Sequence, residues 1–399
     1  MDLKFEVIKK VTETKFKYKD LKVSKLDSNS PPSVFVGSQL RYPLVNVGIL
    51  SPLDKDENAW VYDDEKYWAE NNFEISDVMK LRDSLLNSRF QTKVQDSRLN
   101  NKFVQIAQEI AVASKPVDIE IQLKKGLNFN KKGEKIVTPH GMKAPLEKAK
   151  ITSNVKIHRK VDRVINDELK ASQGIEYLYK NHFDEYTLNK ILSVGVLGLK
   201  KNKRLVPTRW SITATDDTLG KLLLKSVRNN KWIENYEFFF GEFLGNCYLI
   251  MLFPNVWNYE LFELYLPGSS WNPSTELKAA TDFENYYGRK NYASATAGGY
   301  YASRLPILEY LNSIKRQASV LVIRIETPTY WAGLGVWVVR ESVRKALKKI
   351  MKFDSKEEIL DAVKKIGKIK FDFDCSQILQ KSKLLEKINS QRNLMNWGV

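Results

Sequence analysis

The sequence has few of the residues that most often bind metals or form disulfide bonds. Its 399 residues include three histidines and two cysteines, Cys247 and Cys375, which lie far apart. Two distant cysteines make no disulfide framework, so the expected location is a reducing compartment, the cytoplasm. The histidines lack the paired spacing of metal ligands, so we predict no zinc site.

Familiar catalytic motifs and long apolar runs are also missing. The chain contains no GxxxxGK[ST], GxSxG or HExxH segment, so a P-loop ATPase, an α/β-hydrolase and a zincin are not expected. The longest apolar runs, such as residues 248–254, fall far short of the roughly 20 residues that a transmembrane helix needs. The first 20 residues lack the apolar stretch of a signal peptide. We therefore expect no membrane partner and derive no enzyme class from motifs.

Positive charge is the most informative feature that is present. Lysine and arginine number 64 against 47 aspartates and glutamates, which gives a formal net charge of +17. Such a field favours a polyanionic partner, and DNA is the expected one. The hydrophobic share of 43%, with 18 tyrosines, 18 phenylalanines and nine tryptophans, is typical of a globular chain.

Strands and helices are predicted without a regular βαβ rhythm. Val117, Ile119, Ile121 and Leu123 alternate with polar residues, which indicates a half-buried strand. Further predictions are a hairpin over residues 236–253, strands at residues 155–164, 320–325 and 336–339, and a helix opened by Ser355 and Glu358. This mixture predicts an α+β fold with mixed or antiparallel sheets and packed helices.

Four carboxylates are candidates for catalysis. In VPTRWSITATDDTLG (residues 206–220), a strand-like run precedes Asp216 and Asp217, which suit either Mg²⁺ binding or the capping of a helix near Thr218. A metal-dependent nuclease would bring such groups together around ions about 3.5–4 Å apart. The candidate catalytic residues are Asp216, Asp217, Glu260 and Glu263.

A tyrosine-rich segment, residues 286–311, is the main candidate for contact with nucleic acid. Two glycines precede a predicted helix there, and basic residues alternate with tyrosines, which suits phosphate contact and base stacking. A buried, packed helix is the alternative, and an internal ion-pair network is the alternative for the arginines downstream. The candidate residues are Arg209, Arg289, Lys290, Gly298, Gly299, Tyr300, Arg304, Arg324 and Arg340.

The last nine residues, QRNLMNWGV, have the pattern of a docking peptide. Gln391, Leu394 and Trp397 lie at positions i, i+3 and i+6, which combines one amide with two apolar anchors. The alternative is a tail whose apolar residues pack back on the domain. A chain end reaches a partner more easily than an internal segment does.

Long blocks of this sequence resemble the archaeal Nre family of DNA-repair proteins. The blocks include SPPSVFVG (residues 30–37), GNCYLIMLFPNVWNYELFELYLPGSSW (245–271), AGGYYASRLPILEYL (297–311) and GVWVVRESVR (335–344). The resemblance implies an N-terminal and a C-terminal Nre region and, in many members, a terminal PIP box that binds the PCNA sliding clamp. Gln391, Leu394 and Trp397 match that box, whereas Gly398 replaces its usual second aromatic residue.

From these features we predict four segments and one main function. The segments are a basic arm (residues 1–29), an Nre N-terminal region (30–280), a closely associated Nre C-terminal region (281–388) and a free PIP-like tail (389–399). The expected function is a DNA-repair factor that binds DNA and docks on the PCNA clamp. One alternative is a repair enzyme, either a nuclease using Mg²⁺ or an enzyme of nucleotides or damaged bases, with its active site in residues 206–344. The other alternative is a clamp adaptor without catalysis.

Overall fold

The computed structural model of the chain describes residues 2–18, 23–37, 42–99, 101–126 and 141–390. The chain divides into two compact units, Met1–Leu219 and Gly220–Val399, and each unit has one six-stranded sheet with packed helices. This architecture confirms the predicted α+β fold. The PIP-like tail after residue 390 lies outside the described residues.

Unit 1 is built on a mixed sheet with the strand order β1-β5-β6-β4-β3-β2, in which the β4–β6 pair is parallel. Its strands are β1 (Lys25–Ser30), β2 (Val34–Gly37), β3 (Leu44–Ser51), β4 (Leu86–Lys93), β5 (Val117–Leu123) and β6 (Lys143–Ile151). Its helices are α1 (Leu3–Tyr18), α2 (Glu65–Glu70), α3 (Ile75–Ser84), α4 (Lys102–Val112), α5 (Arg159–Asn166), α6 (Ala171–Lys180) and α7 (Glu185–Ser193). The apolar residues of β5 are buried alternately, as predicted.

The N-terminal segment that the sequence suggested as a basic arm contributes to unit 1. Helix α1 buries Val7 and Val11, and Lys10 forms an ion pair with Asp56 at 3.0 Å. Strand β1 pairs in antiparallel register with β5 at the edge of the sheet. Two buried valines and a strand ladder fix these residues, although their composition is mostly polar.

Unit 2 has the strand order β10-β9-β11-β8-β7-β12, with one parallel pair, β9–β11. Its strands are β7 (Tyr236–Phe243), β8 (Asn246–Phe253), β9 (Asn258–Tyr265), β10 (Lys278–Glu284), β11 (Ser319–Glu326) and β12 (Ile350–Phe353). The helices are α9 (Ala297–Ser313), α10 (Trp337–Ala346), α11 (Lys356–Phe371), α12 (Ser376–Gln380) and α13 (Lys383–Ser390), and α8 (Thr208–Val227) runs across the unit boundary. The predicted hairpin is present as β7–β8.

The unit 2 sheet is covered on both faces. Because side chains alternate along a strand, Leu249 and Met251 of β8 point to α11, α12 and α13, where they join the main apolar core. Tyr248 points to the opposite face and lies within hydrogen-bond distance of Ser303 on α9, at 3.4 Å between oxygens. Strands buried on both faces have near-continuous apolar runs, which explains the composition of β8 and β11.

Three local predictions are wrong. Residues 336–339 and the run before Asp216 were expected to be strand-like, but residues 337–339 lie in α10 and residues 208–215 lie in α8. Residues 159–164, expected to be a strand, lie in α5, which buries Val161 and Val164. In each helix, tertiary packing of one face overrides a weak local propensity. Among the described residues, no helix is both long and apolar enough to cross a membrane.

Strand β7 and helix α10 approach each other at backbone distance. A Cβ atom added to Gly241 would lie 2.5 Å from Cα and 2.9 Å from the backbone nitrogen of Ala346. Only a residue without a side chain therefore allows this contact, and its partner Ala346 has only a methyl group as its side chain.

We predict that Gly241→Ala destabilises the protein by about 1–3 kcal/mol, because the added methyl group must push backbone away from backbone. Gly37→Ala is the control, since a Cβ there would meet its nearest neighbours at 3.6–3.8 Å, an ordinary contact distance. Urea denaturation of both variants measures the difference. Equal midpoints for Gly241→Ala and the parent would contradict the close approach.

Candidate nucleic-acid interface

Arg324, a candidate phosphate-binding residue, lies at the centre of a buried network in unit 2. It projects from the carboxyl end of β11 and donates hydrogen bonds to Glu263 at 2.5 Å and to Glu326 at 3.1 Å. Its Nε and Nη2 both donate to Oδ1 of Asn246, at 2.9 and 2.6 Å. The guanidinium is therefore occupied by groups of the protein, and its charge is matched inside the fold.

The same network extends to the loop that follows β9. The Tyr265 hydroxyl donates to Oε2 of Glu263 at 2.8 Å, and the backbone N–H of Trp271 donates to Oε1 of Glu326 at 3.1 Å. Burial raises the pKa of the Glu326 carboxyl, and the charge of Arg324 opposes that shift. The buried ion pairs of Arg324 therefore also hold the surface loop that contains Trp271.

Gly298 and Gly299 were predicted to precede a helix whose backbone N–H groups contact a phosphate, and in the structure Gly299 lies beside the Glu263 carboxylate. Both glycines are in the first turn of α9, and a Cβ on Gly299 would lie 2.1 Å from Oε1 of Glu263. The carboxylate of the protein itself occupies the space beside this turn, where helix N–H groups favour negative charge. Glu263 therefore links the first turn of α9 to Arg324.

A second buried ion pair uses Arg304, another candidate. Its Nη1 donates to Oε2 of Glu284 at 2.8 Å, and the indole N–H of Trp257 donates to the other carboxylate oxygen at 2.9 Å. Gly220 leaves space for this guanidinium, since a Cβ there would lie 2.7 Å from its Nη2. The candidates Tyr300 and Arg340 are also buried, so neither is exposed to a phosphate in this structure.

Arg289 holds the loop between β10 and α9. It pairs with Asp282 at 3.0 Å and donates to the carbonyl oxygen of Phe283 at 2.8 Å. The other oxygen of Asp282 accepts the backbone N–H of Thr296 at 2.8 Å, immediately before α9 begins. Lys290, the next residue after Arg289, is exposed. Among the candidates of this loop, Lys290 alone has a charged side chain on the surface.

Glu260 and Glu263 lie on opposite faces of the sheet, since they are three residues apart on β9. Glu260 accepts hydrogen bonds from the Ser382 hydroxyl at 2.5 Å and from the backbone N–H groups of Lys383 and Leu384 at 3.1 and 3.0 Å. It therefore caps α13 from outside the helix, where carboxylates are favoured. The two glutamates do not form a metal-binding pair.

The candidates of residues 206–220 lie on α8. Asp216 is buried and Asp217 is half-buried, and both are inside the helix, so neither caps its start. Arg209 is exposed beside Trp210, which exposes 56% of its surface. Within the part of the chain that the structure describes, no group of three or more His, Cys, Asp or Glu residues is placed to hold a metal ion.

Unit 1 contains a cluster of charges that the sequence did not reveal. Lys190 pairs with Asp63 at 3.2 Å, and Arg82 pairs with Glu65 at 3.2 Å. Burial and the charge of Asp63 raise the pKa of Glu65 to about 7. Burial also disfavours the charged form of Asp63, but Lys190 and Arg82 outweigh it and hold the pKa of this carboxyl below its usual range. The run Asp63-Asp64-Glu65 was the available signal, but the partners are distant in sequence.

An exposed group of lysines lies where α10 ends and β12 begins. We call Lys345, Lys348, Lys349 and Lys352 the β12 lysine surface. The last three are exposed and form no ion pair within the described residues. Burial and the nearby charge of Lys348 lower the pKa of Lys345, whose Nζ lies 3.9 Å from the centre of the Phe243 ring. Four lysines therefore lie close together in the sequence here, and Glu237 opposite Lys352 and Glu341 near Lys345 offset part of their charge.

We predict that Arg324→Met destabilises the protein by about 3–5 kcal/mol, because it leaves Glu263 and Glu326 buried without their cation. Arg344→Met is the matched control in the same unit. Arg344 bonds to Glu309 and Glu341, but it is partly exposed, so water screens its loss. Chemical denaturation measures both changes, and an equal or smaller loss for Arg324→Met would show that the network does not support the fold.

Comparisons with known proteins cover most of the chain. The family model described as Archaeal Nre, N-terminal matches residues 3–272, and the model described as Archaeal Nre, C-terminal matches residues 284–397. The DNA repair protein NreA of Haloferax volcanii is 42% identical over 321 residues, which are 79% of this chain and 76% of that protein. No solved structure matches the chain.

Two relatives from Archaeoglobus fulgidus are also similar. The DNA repair protein NreA is 39% identical over 87% of this chain and 87% of its own length, and the DNA repair protein NreB is 34% identical over 92% and 90%. The family models and these relatives span both compact units. The chain belongs to the archaeal Nre family.

Proposed function

We propose that this chain is a DNA-repair factor that binds DNA through phosphate contacts and docks on the PCNA sliding clamp through its last nine residues. The repair role follows from its relatives, three of which are named DNA repair proteins. The observation that carries DNA binding is the β12 lysine surface, an exposed cluster of lysines on a chain with a net charge of +17.

The β12 lysine surface supports phosphate contact better than the arginines of the sequence prediction do. Arg304, Arg324 and Arg340 are buried, so a phosphate would have to displace their present surroundings. Lys348, Lys349 and Lys352 are already exposed, and binding would release counterions from DNA without breaking an ion pair. Contacts of this kind are independent of sequence, which suits a factor that must work wherever damage arises.

Docking on the clamp is supported by where the PIP-like tail begins. It follows α13 directly, and this helix is held by its cap on Glu260 and by a bond of 2.8 Å from Lys387 to Asn258. The pattern Gln391, Leu394 and Trp397 therefore starts at a fixed point of unit 2. Residues 391–399 themselves lie outside the described residues.

We predict that Lys348→Ala/Lys349→Ala weakens binding to duplex DNA and lowers the slope of log K against log salt by about 2, one unit for each phosphate contact removed. Fluorescence anisotropy with a labelled duplex over a salt series measures both quantities. Melting temperature should stay unchanged, because both side chains are exposed and unpaired within the described residues.

Lys368→Ala is the control for this variant, since Lys368 is exposed but is bonded to Asp372 on the same helix. It should keep the salt slope of the parent protein. If the double variant binds duplex DNA as tightly as the parent at every salt concentration, the β12 lysine surface is not the DNA contact.

We predict that removal of residues 391–399 abolishes binding to purified PCNA, because the anchors Leu394 and Trp397 are lost. Calorimetric titration of the clamp with the full chain and with the truncated chain measures this. A chain with Leu394→Ala and Trp397→Ala tests the side chains without shortening the protein. Clamp binding that survives both changes would place the contact elsewhere, and clamp binding without any DNA affinity would favour an adaptor.

A further inference from the structure

Two exposed tryptophans of unit 2 lie on neighbouring loops. Trp271 follows β9 and exposes 60% of its surface, and Trp331 follows β11 and exposes 58%. The residues just before them are joined, because the Ser270 N–H donates to the Tyr330 carbonyl at 3.1 Å. Both loops leave the carboxyl ends of the parallel strand pair β9–β11.

The Trp271 loop is held from below by buried polar groups. The backbone N–H of Trp271 is bound to Glu326, which belongs to the Arg324 network. The side-chain amide of Asn272 donates to the carbonyl oxygens of Tyr265 and Glu276, at 2.8 and 2.7 Å, and closes the loop on itself. The backbone that carries this indole is therefore fixed before any ligand arrives.

The Trp331 loop is held in the same manner. The N–H of Thr327 donates to the Gly245 carbonyl at 2.9 Å, which attaches the start of the loop to the β7–β8 turn. The hydroxyl of the buried Tyr330 accepts the N–H of Leu334 at 2.7 Å, and the Trp337 indole donates to the Leu334 carbonyl at 2.9 Å. Because this loop is already fixed, a ligand that stacks on Trp331 would not have to order it, and binding would cost little conformational entropy of the loop.

The surroundings of the two indoles are polar and open. Ser270, Thr327 and Thr329 lie on the same loops, and the two threonine hydroxyls are 2.6 Å apart. A Cβ on Gly333 would lie 3.3 Å from Cζ2 of Trp271, so this glycine of the Trp331 loop lies close to one part of the Trp271 ring. Neither indole has a ring partner within the described residues. Isolated aromatic faces among hydroxyl groups suit a flat, polar ring better than the continuous apolar surface of a protein partner.

We propose that Trp271 and Trp331 form a stacking site for an unpaired base of single-stranded or locally opened DNA. This inference rests on the proposed DNA-binding function and adds to it a preference for unpaired bases. Stacking on an indole is tolerant of sequence because every base has a flat face. The lysines would supply phosphate contacts on any DNA, and the indoles would act only where a base is unstacked.

The test compares two DNA ligands with the full-length chain, a labelled oligothymidylate and a duplex of the same length. Trp271→Ala and Trp331→Ala should each weaken binding of the oligothymidylate about tenfold and leave duplex affinity and the salt slope unchanged. Trp271→Phe and Trp331→Phe should retain most of the affinity, because a phenyl ring still stacks. Trp210→Ala, at a similarly exposed tryptophan in unit 1, should leave the affinity for both DNA ligands unchanged.

The two proposals fail in different ways. Alanine variants that bind oligothymidylate as tightly as the parent would overturn the stacking site while leaving DNA binding intact. A loss of equal size on both DNA ligands would also overturn it, because the tryptophans would then serve DNA contact in general. A parent chain that binds neither ligand would overturn the proposed DNA-binding function and the stacking site with it.

Discussion

The structure of unit 2 depends on one buried positive charge. Arg324 is matched by two carboxylates and an amide oxygen, and each of these belongs to a different strand or strand end. A buried guanidinium is stable only when its charge and its donors are satisfied, so the positions of β8, β9 and β11 are specified together. Because Glu263 also fills the space beside Gly299, the same charge sets the start of α9.

This arrangement explains why polar residues are frequent near the carboxyl ends of these strands. Tyr265 and Trp271 donate hydrogen bonds to the carboxylates that surround Arg324. The position of the loop after β9 therefore depends on the buried ion pairs. Both oxygens of Glu263 and both oxygens of Glu326 accept hydrogen bonds from the protein in this arrangement. A network of this kind specifies geometry more than it adds stability, because burying the ions offsets much of their attraction.

Some strands were predictable from apolar patterns, as β5 and the β7–β8 hairpin show, and Ser355 caps α11 as its capping-box pattern predicted. The strand predictions that proved wrong have a physical explanation. Residues 337–339 have strand-forming side chains, but they lie in α10, whose Ala346 approaches Gly241 of β7 at backbone distance. Local propensity cannot report a contact with a residue about one hundred positions away.

The sequence predicted which types of residue would form the candidate site, but it did not predict which of those residues would be exposed on the surface. Arg324 and Lys290 were both candidates for phosphate contact, but Arg324 is buried and Lys290 is exposed. Pairing decides the difference, and partners such as Glu284 for Arg304 and Glu263 for Arg324 are distant in sequence. The β12 lysine surface has a visible signal in the run KALKKIMK, yet its exposure depends on an edge strand that only the fold defines.

The hydrogen bonds between Glu260 and the start of α13 bear on the distance between unit 2 and a partner bound to the last nine residues. Glu260 is part of the unit 2 sheet, and it fixes the first turn of α13, the helix after which nine further residues follow in the sequence. Nine residues of fully extended chain span at most about 30 Å. A clamp bound to that segment would therefore remain within roughly one turn of double helix from the end of α13. Such a short tether would confine unit 2 to the DNA that is just leaving the ring.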